Sequence, residues 1–177
     1  MKLLTACFLI FYSCFTFAAE SVAPRDPYHY FFNETWGDFS EELDNAKAAN
    51  KKAILIFFEM DECPFCHWMK ENVLNQPAVQ TYFRQYFLNF PVDIEGDLEV
   101  KDFSGAEMTQ KYFATKINRV RATPVFGVFD LEGKPIARFT GRTANVEEFM
   151  WFGEYVVEGH YKEMSFVKYK RLKKKKS

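Results

Sequence analysis

The order of apolar and polar positions along the chain predicts alternating helices and strands. Residues 38–50 carry apolar side chains at helical spacing, and the nearly continuous apolar run at 53–58 is typical of a strand buried on both faces. The order helix, strand, helix, strand, helix, strand, strand, helix predicts a mixed sheet covered by helices on both sides. The remaining helices are predicted at 67–74, 78–86, 109–116 and 145–158, and the remaining strands at 87–93, 125–130 and 135–140.

Residues 1–18 predict a signal peptide. A single basic residue, Lys2, precedes an apolar run at 3–17, and the small residues Thr16 and Ala18, at positions −3 and −1, fit a cleavage between Ala18 and Ala19. The alternative is a membrane anchor, although signal-peptide cores are usually too short to span a bilayer. We therefore expect an exported, periplasmic protein whose mature chain begins near Ala19.

Charge is distributed unevenly along the mature chain. Residues 19–161 contain 23 acidic and 14 basic residues, whereas residues 162–177 contain eight basic residues and one acidic residue. We interpret 19–35 as an extended N-terminal arm, 36–160 as the folded domain, and 161–177 as a basic tail. The tail is interpreted as a solvated, disordered end, with docking on anionic lipid or an acidic partner as the alternative. No nucleic-acid partner is expected for an exported chain.

Two of the four cysteines carry the candidate chemistry. Removal of the signal peptide would leave only Cys63 and Cys66, and a disulfide between them would close a loop too short to add much stability. The pair follows a predicted strand and opens a predicted helix, whose N-terminus stabilises a thiolate. A Cys-x-x-Cys motif in this context predicts dithiol–disulfide redox chemistry rather than a structural disulfide.

The residues around the motif suggest individual roles. Cys63 is predicted to be the exposed attacking thiolate, and Cys66, one turn into the helix, the resolving thiol. Pro64 presets the first helical turn, and Phe65 offers an apolar contact surface beside the sulfur, unless it packs into that turn. Glu59 is the nearest carboxylate and a candidate proton relay for Cys66, although we favour a solvated carboxylate at the end of the strand.

The motif and the element order together resemble the thioredoxin superfamily. The resemblance covers residues 36–157 and rests on the Cys63–Cys66 motif after the first main strand and on Thr123-Pro124 before the predicted hairpin. It implies an α/β thioredoxin fold, with a central mixed sheet flanked by helices and a short acidic insertion before the third helix. It also implies a cis bond at Thr123–Pro124 and a Thr123 backbone beside Cys63, able to pair with a substrate backbone.

A closer similarity is to exported SoxW-type thioredoxin-related proteins, which are associated with bacterial sulfur oxidation. The run Phe57-Phe58-Glu59, the motif Cys-Pro-Phe-Cys and the acidic run at 93–97 occupy the corresponding places. Phe57 departs from thioredoxin itself, which has a buried aspartate there. The resemblance implies a thiol:disulfide oxidoreductase that exchanges electrons with a partner protein and with a membrane or protein electron donor. We expect a monomer with no cofactor beyond the redox-active disulfide.

Two alternatives remain open from the sequence. Cys63 to His67 matches Cys-x-x-Cys-His, the attachment motif of c-type haem proteins. The second alternative is a binding module with a thioredoxin-like fold that is redox-inert or carries a metal. The adjacent Cys66 and His67 point in different directions on a helix, so we predict no resident metal.

Overall fold

The computed structural model describes residues 23–175. The predicted signal peptide, 1–18, and its cleavage site at Ala18–Ala19 lie outside the described residues. The helices are α1 (Pro27–Tyr30), α2 (Phe39–Ala48), α3 (Pro64–Met69), α4 (Pro77–Tyr86), α5 (Gln110–Tyr112), α6 (Val146–Val157) and α7 (Phe166–Lys174). The strands are β1 (Ala53–Glu59), β2 (Phe87–Asp93), β3 (Glu99–Lys101), β4 (Glu107–Thr109), β5 (Val125–Phe129) and β6 (Pro135–Thr140). None of these helices is long and apolar enough to cross a membrane.

Within residues 23–175, a four-stranded sheet with the order β2-β1-β5-β6 forms the centre of the domain. β1 pairs in parallel with β2 and antiparallel with β5, and β6 pairs antiparallel with β5. A parallel pair needs a long crossover, and α3 and α4 supply it between β1 and β2. The predicted α/β fold, a central mixed sheet flanked by helices, is therefore confirmed.

β1 lies in the middle of the sheet because both of its faces are apolar. Leu55 and Phe57 face a core that includes side chains of α3, α4 and α6. Ile54, Ile56 and Phe58 alternate with them and face a second core that includes side chains of α2. A strand held on both faces gives the turn that follows it a rigid base.

The N-terminal segment, 19–35, is not an extended arm throughout. The Asp26 carboxylate accepts a hydrogen bond of 2.9 Å from the backbone N–H of Tyr28 and so caps the short helix α1. Phe31 and Phe32, which follow α1, are buried in the core that contains the cysteines. The prediction is wrong for these residues because burying two phenylalanines offsets the cost of ordering the segment.

The acidic insertion before α5 is partly ordered as the hairpin β3–β4, where the sequence predicts a loop or small insertion. Val100 of β3 is buried in the second core. The Lys101 ammonium lies 3.2 Å from the Asp38 carboxylate, and a β-bridge joins the same two residues. The insertion is therefore tied to the start of α2.

The prediction of a disordered basic end is wrong for residues 166–174, which form α7. Phe166 and Tyr169, three positions apart, are buried in the core on the side of α6. The Lys170 ammonium lies 2.8 Å from the Glu148 carboxylate of α6. The segment is ordered because the two aromatic residues give α7 an apolar face and α6 supplies acidic partners for its lysines.

Asp38 caps α2 and makes a pH-dependent contribution to stability. Its carboxylate accepts hydrogen bonds of 3.1 Å from the backbone N–H groups of Ser40 and Glu41. Hydrogen bonds from Ser40 and Glu41 outweigh the effect of burial and lower the pKa of Asp38 from 3.8 to about 2. Because the folded pKa lies below the unfolded one, the contribution is complete above about pH 4 and is lost as the pH falls toward about 2.

We expect Asp38→Ala to lower the free energy of unfolding at neutral pH by about 1–2 kcal/mol, the usual cost of losing an N-cap carboxylate. Urea unfolding at pH 7 and pH 3 should show the difference from wild type narrowing at the lower pH. Asp44→Ala is the matched control, because Asp44 lies on the same helix with its side chain 82% exposed. A difference that is independent of pH would contradict an ionised cap.

Candidate redox-active site

The turn between β1 and α3 positions the two cysteines. Cys63 is the N-cap residue of α3, with an extended backbone, and Pro64 occupies the first helical position. The Cys63 Sγ accepts a hydrogen bond of 3.1 Å from the backbone N–H of Cys66. Cys63 and Cys66 form a disulfide, with their Cα atoms 5.2 Å apart. Once the bond is reduced, the same N–H and the helix N-terminus favour a thiolate on Cys63.

The disulfide is more deeply buried than the sequence predicts. Cys63 is only 2% exposed and Cys66 is fully buried. The expectation of an exposed Cys63 is therefore wrong for the disulfide form, because Cys63 belongs to the apolar core that includes Phe57 and Met69. Phe65, by contrast, is 54% exposed and is not packed into the first turn. It presents a largely exposed apolar surface beside the disulfide, next to the exposed Pro64.

The loop before β5 reaches the same end of the sheet. Val125, the first residue of β5, pairs with Phe58 of β1, so Thr123 and Pro124 continue past the end of β1 toward the turn that precedes Cys63. The Thr123–Pro124 peptide bond is cis. Within residues 23–175, no hydrogen bond engages the backbone N–H or C=O of Thr123. These two groups therefore have no hydrogen-bond partner among the described residues.

The loop after β6 completes the site, although no motif in the sequence predicts its role. The backbone N–H of Gly141 donates a hydrogen bond of 2.8 Å to the carbonyl of Pro124. Thr143 is buried, and its backbone N–H donates to the Met69 sulfur of α3 at 3.4 Å. Between them lies Arg142. The one usable signal in the sequence was the predicted hairpin, which returns the chain to the side of Pro124.

Arg142 lies over the aromatic side chains of α3. Its guanidinium carbon is 4.5 Å from the ring centroid of Trp68 and 5.7 Å from that of Phe65. Contacts of this kind hold the cation over the ring by electrostatic attraction. The rim of the site is therefore aromatic and carries a positive charge.

Glu59 is not the solvated carboxylate that the sequence favoured. Its side chain is 12% exposed and lies 2.7 Å from the Lys70 ammonium. The hydroxyl of Tyr28, from the N-terminal segment, donates to Glu59 at 3.3 Å and accepts from Lys70 at 2.8 Å. Burial opposes the charge on Lys70, but hydrogen bonds with Glu59 and Tyr28 outweigh it and raise the pKa of Lys70. Tyr28 and Lys70 carried no recognisable sequence signal, because residues far apart in the chain form this group.

A cleft of about 580 Å³ lies between the N-terminal segment and α3, with Asp61, His67 and Lys70 in its wall. The Nε2 atom of His67 is 3.0 Å from the carbonyl oxygen of Asp61. The two cysteine sulfurs are bonded to each other, whereas haem attachment would use both as thioethers, so the geometry favours disulfide chemistry. No group of three or more His, Cys, Asp or Glu side chains within residues 23–175 is arranged to hold a metal ion.

A disulfide at the start of the helix that follows the central strand, beside a proline loop, defines a thiol–disulfide redox protein with a thioredoxin fold. The chain belongs to the thioredoxin-like domain family, whose profile matches residues 39–156. That match lies inside the domain predicted at 36–160. No curated protein matches the sequence significantly.

Solved structures share the fold at low sequence identity. A thioredoxin-fold protein from Helicobacter pylori is 22% identical, with a TM-score of 0.58, and the match covers 72% of this chain and 88% of that one. The DsbH oxidoreductase is 19% identical, with a TM-score of 0.55, over 80% of this chain and 95% of that one. A putative disulphide-isomerase from Bacteroides thetaiotaomicron is 22% identical, with a TM-score of 0.55, over 72% and 92%. These likenesses establish the fold.

Proposed function

We propose that this protein is an exported thiol:disulfide oxidoreductase that exchanges two electrons with a partner protein through Cys63 and Cys66. The observation that carries the proposal is the disulfide at the start of α3, with the Cys63 sulfur hydrogen-bonded to the N–H of Cys66. Membership of the thioredoxin-like domain family supports it. Export and a periplasmic location rest on the signal peptide predicted at 1–18.

The proposed reaction proceeds in two exchange steps. In the reduced protein, the Cys63 thiolate attacks one sulfur of the partner disulfide, and the other partner sulfur leaves as a thiolate. Cys66 then loses its proton and attacks the Cys63 sulfur. This closes the Cys63–Cys66 disulfide and releases the second partner thiolate. The partner gains two electrons, and two protons complete its thiols; the reverse sequence oxidises a partner dithiol.

The exposed surfaces around the disulfide support a partner protein rather than a small molecule as the substrate. The free backbone N–H and C=O of Thr123 suit pairing with an extended partner segment, beside the loop that ends in Pro124. Phe65 and Pro64 offer an apolar surface beside the sulfurs. We also propose Glu59 as the relay for the Cys66 proton, because Lys70 and Tyr28 fix its carboxylate at the end of β1.

The electron donor and the biological setting are part of the proposal. We propose that, in the reducing direction, a membrane or protein donor re-reduces the Cys63–Cys66 disulfide after each turnover. A link to bacterial sulfur oxidation rests on the resemblance of Phe57-Phe58-Glu59 and of the Cys-Pro-Phe-Cys motif to SoxW-type proteins. The identity of the partner protein captured on Cys63 would test this link. A partner that takes part in sulfur oxidation would support it, and an unrelated partner would contradict it.

The proposal is tested by redox equilibration of the purified mature protein with glutathione, followed by turnover of a protein disulfide. We expect a reversible two-electron couple. A potential of about −120 mV would indicate an oxidant, and one of about −270 mV a reductant. The Cys63→Ser/Cys66→Ser double variant sets the background rate. In the same assay, Glu59→Gln should slow closure of the Cys63–Cys66 disulfide. Wild-type turnover equal to the background would contradict the proposal and favour a redox-inert binding module.

A further inference from the structure

Arg142 is held in a fixed position at the edge of the disulfide site. Its guanidinium lies over Trp68 and near Phe65, at 4.5 and 5.7 Å from the two ring centroids. The residues on either side of it are bonded to opposite parts of the site, Gly141 to the proline loop and Thr143 to α3. These bonds anchor the Arg142 backbone, and the two rings favour this position of the guanidinium before any partner arrives, which lowers the entropic cost of binding through it.

Arg142 is exposed and has no acidic partner among the residues that the structure describes. Lys70 and Lys170 differ from it, because each is paired at under 3 Å with a buried or nearly buried carboxylate, Glu59 or Glu148. Those pairs hold elements of the fold together. The guanidinium of Arg142 contacts only aromatic rings, which leaves its N–H groups free for an acceptor from outside.

The position of Arg142 lies on the path that a partner segment would follow. Such a segment would pair with the Thr123 backbone, and the Gly141–Pro124 hydrogen bond joins that loop directly to the loop of Arg142. A guanidinium that rests on an aromatic face keeps its edge available for bidentate binding of a carboxylate. Asp61 and Glu62, exposed just before Cys63, would repel the same carboxylate. Charge complementarity therefore favours the Arg142 end of the site over the side of Asp61 and Glu62.

We infer that Arg142 selects extended partner segments that carry an aspartate or glutamate close to their reactive cysteine. This inference rests on the proposed function and specifies its substrate class. The aromatic rings of Phe65 and Trp68 contribute apolar contact and hold the guanidinium, whereas the charge of Arg142 supplies the preference. Arg142 is thus a specificity residue and takes no part in the exchange of electrons.

The test uses three short peptides, each with a single cysteine. They differ only at the position beside the cysteine, which is glutamate, glutamine or lysine. Each peptide is joined by a mixed disulfide to a coloured aromatic thiol, and the release of that thiol by the reduced protein is followed by stopped flow. At low salt, wild type should react with the glutamate peptide about fivefold faster than with the glutamine peptide, the upper range for an exposed ion pair. The preference should shrink as salt is added.

Arg142→Glu should reverse the preference, so that the lysine peptide reacts fastest, and Arg142→Gln should abolish it. Arg171→Glu is the matched control: it makes the same change in net charge on an exposed residue of α7 and should keep the wild-type order. Thermal unfolding of each variant verifies that it is folded. A reversal in Arg142→Glu alone would establish a local charge effect.

Three results would overturn the inference. Equal wild-type rates with the glutamate and glutamine peptides would remove the preference itself. Equal shifts in Arg142→Glu and Arg171→Glu would assign the preference to net charge. A uniform slowing of all three peptides and of iodoacetamide in Arg142→Gln would mean that Arg142 acts on the Cys63 thiolate. If the wild-type protein reacts with none of the peptides, the proposed function fails as well. If it reacts with the glutamate and glutamine peptides at equal rates, only the inferred preference fails.

Discussion

Replacing Cys66 with serine should trap the partner protein on Cys63 as a stable mixed disulfide. The first exchange step needs only the thiolate at the start of α3, whereas release of the partner needs the Cys66 sulfur. The variant, exposed to an extract of the source organism's exported proteins, should yield adducts visible on non-reducing gels and released by dithiothreitol. Protein disulfide turnover should fall to the background rate of the double serine variant.

Cys63→Ser is the matched control, because it removes one sulfur from the same motif and leaves Cys66 fully buried beneath it. It should trap almost nothing. Equal trapping by both variants would contradict the assignment of attack to Cys63 and of resolution to Cys66. Mass spectrometry of the trapped peptide would also report which residues flank the partner cysteine.

The largest loss of stability is expected for Phe83→Ala. The Phe83 ring is fully buried and stacks on Phe149 of α6 with ring centroids 4.5 Å apart. It also contacts Phe31 at 5.6 Å and Phe87 at 5.4 Å, and so links the N-terminal segment, α4, α6 and β2. Removing it should lower the free energy of unfolding by about 3–5 kcal/mol, through lost burial and the cavity left behind.

Urea unfolding of the oxidised protein measures this effect while the disulfide remains intact in both variants. Leu98→Ala is the control, because Leu98 is 72% exposed in the segment before β3 and should change stability by less than about 0.5 kcal/mol. A loss for Phe83→Ala as small as that of the control would mean that the aromatic core repacks around the missing ring.

Features that depend on residues close together in the chain could be predicted from the sequence. The apolar run at 53–58 predicts a strand buried on both faces, and β1 covers it. Pro64 after Cys63 predicts the start of a helix, and Cys63 is the N-cap of α3. The turn after β5 and the period of α6 were likewise readable, because hydrophobic period and turn chemistry act over a few residues. These local signals were enough to predict the mixed sheet and the paired cysteines.

The way in which distant segments complete the site could not be predicted from the sequence. Phe31 enters the core against Phe83 of α4, and Tyr28 donates a hydrogen bond to Glu59 at the end of β1. No local pattern predicts these contacts. α7 is ordered because α6 presents carboxylates and an apolar surface to it. Arg142 faces Trp68 because the hairpin returns its loop to α3. Each outcome depends on contacts between residues far apart in sequence, and their free energy overrides what the segment would adopt alone.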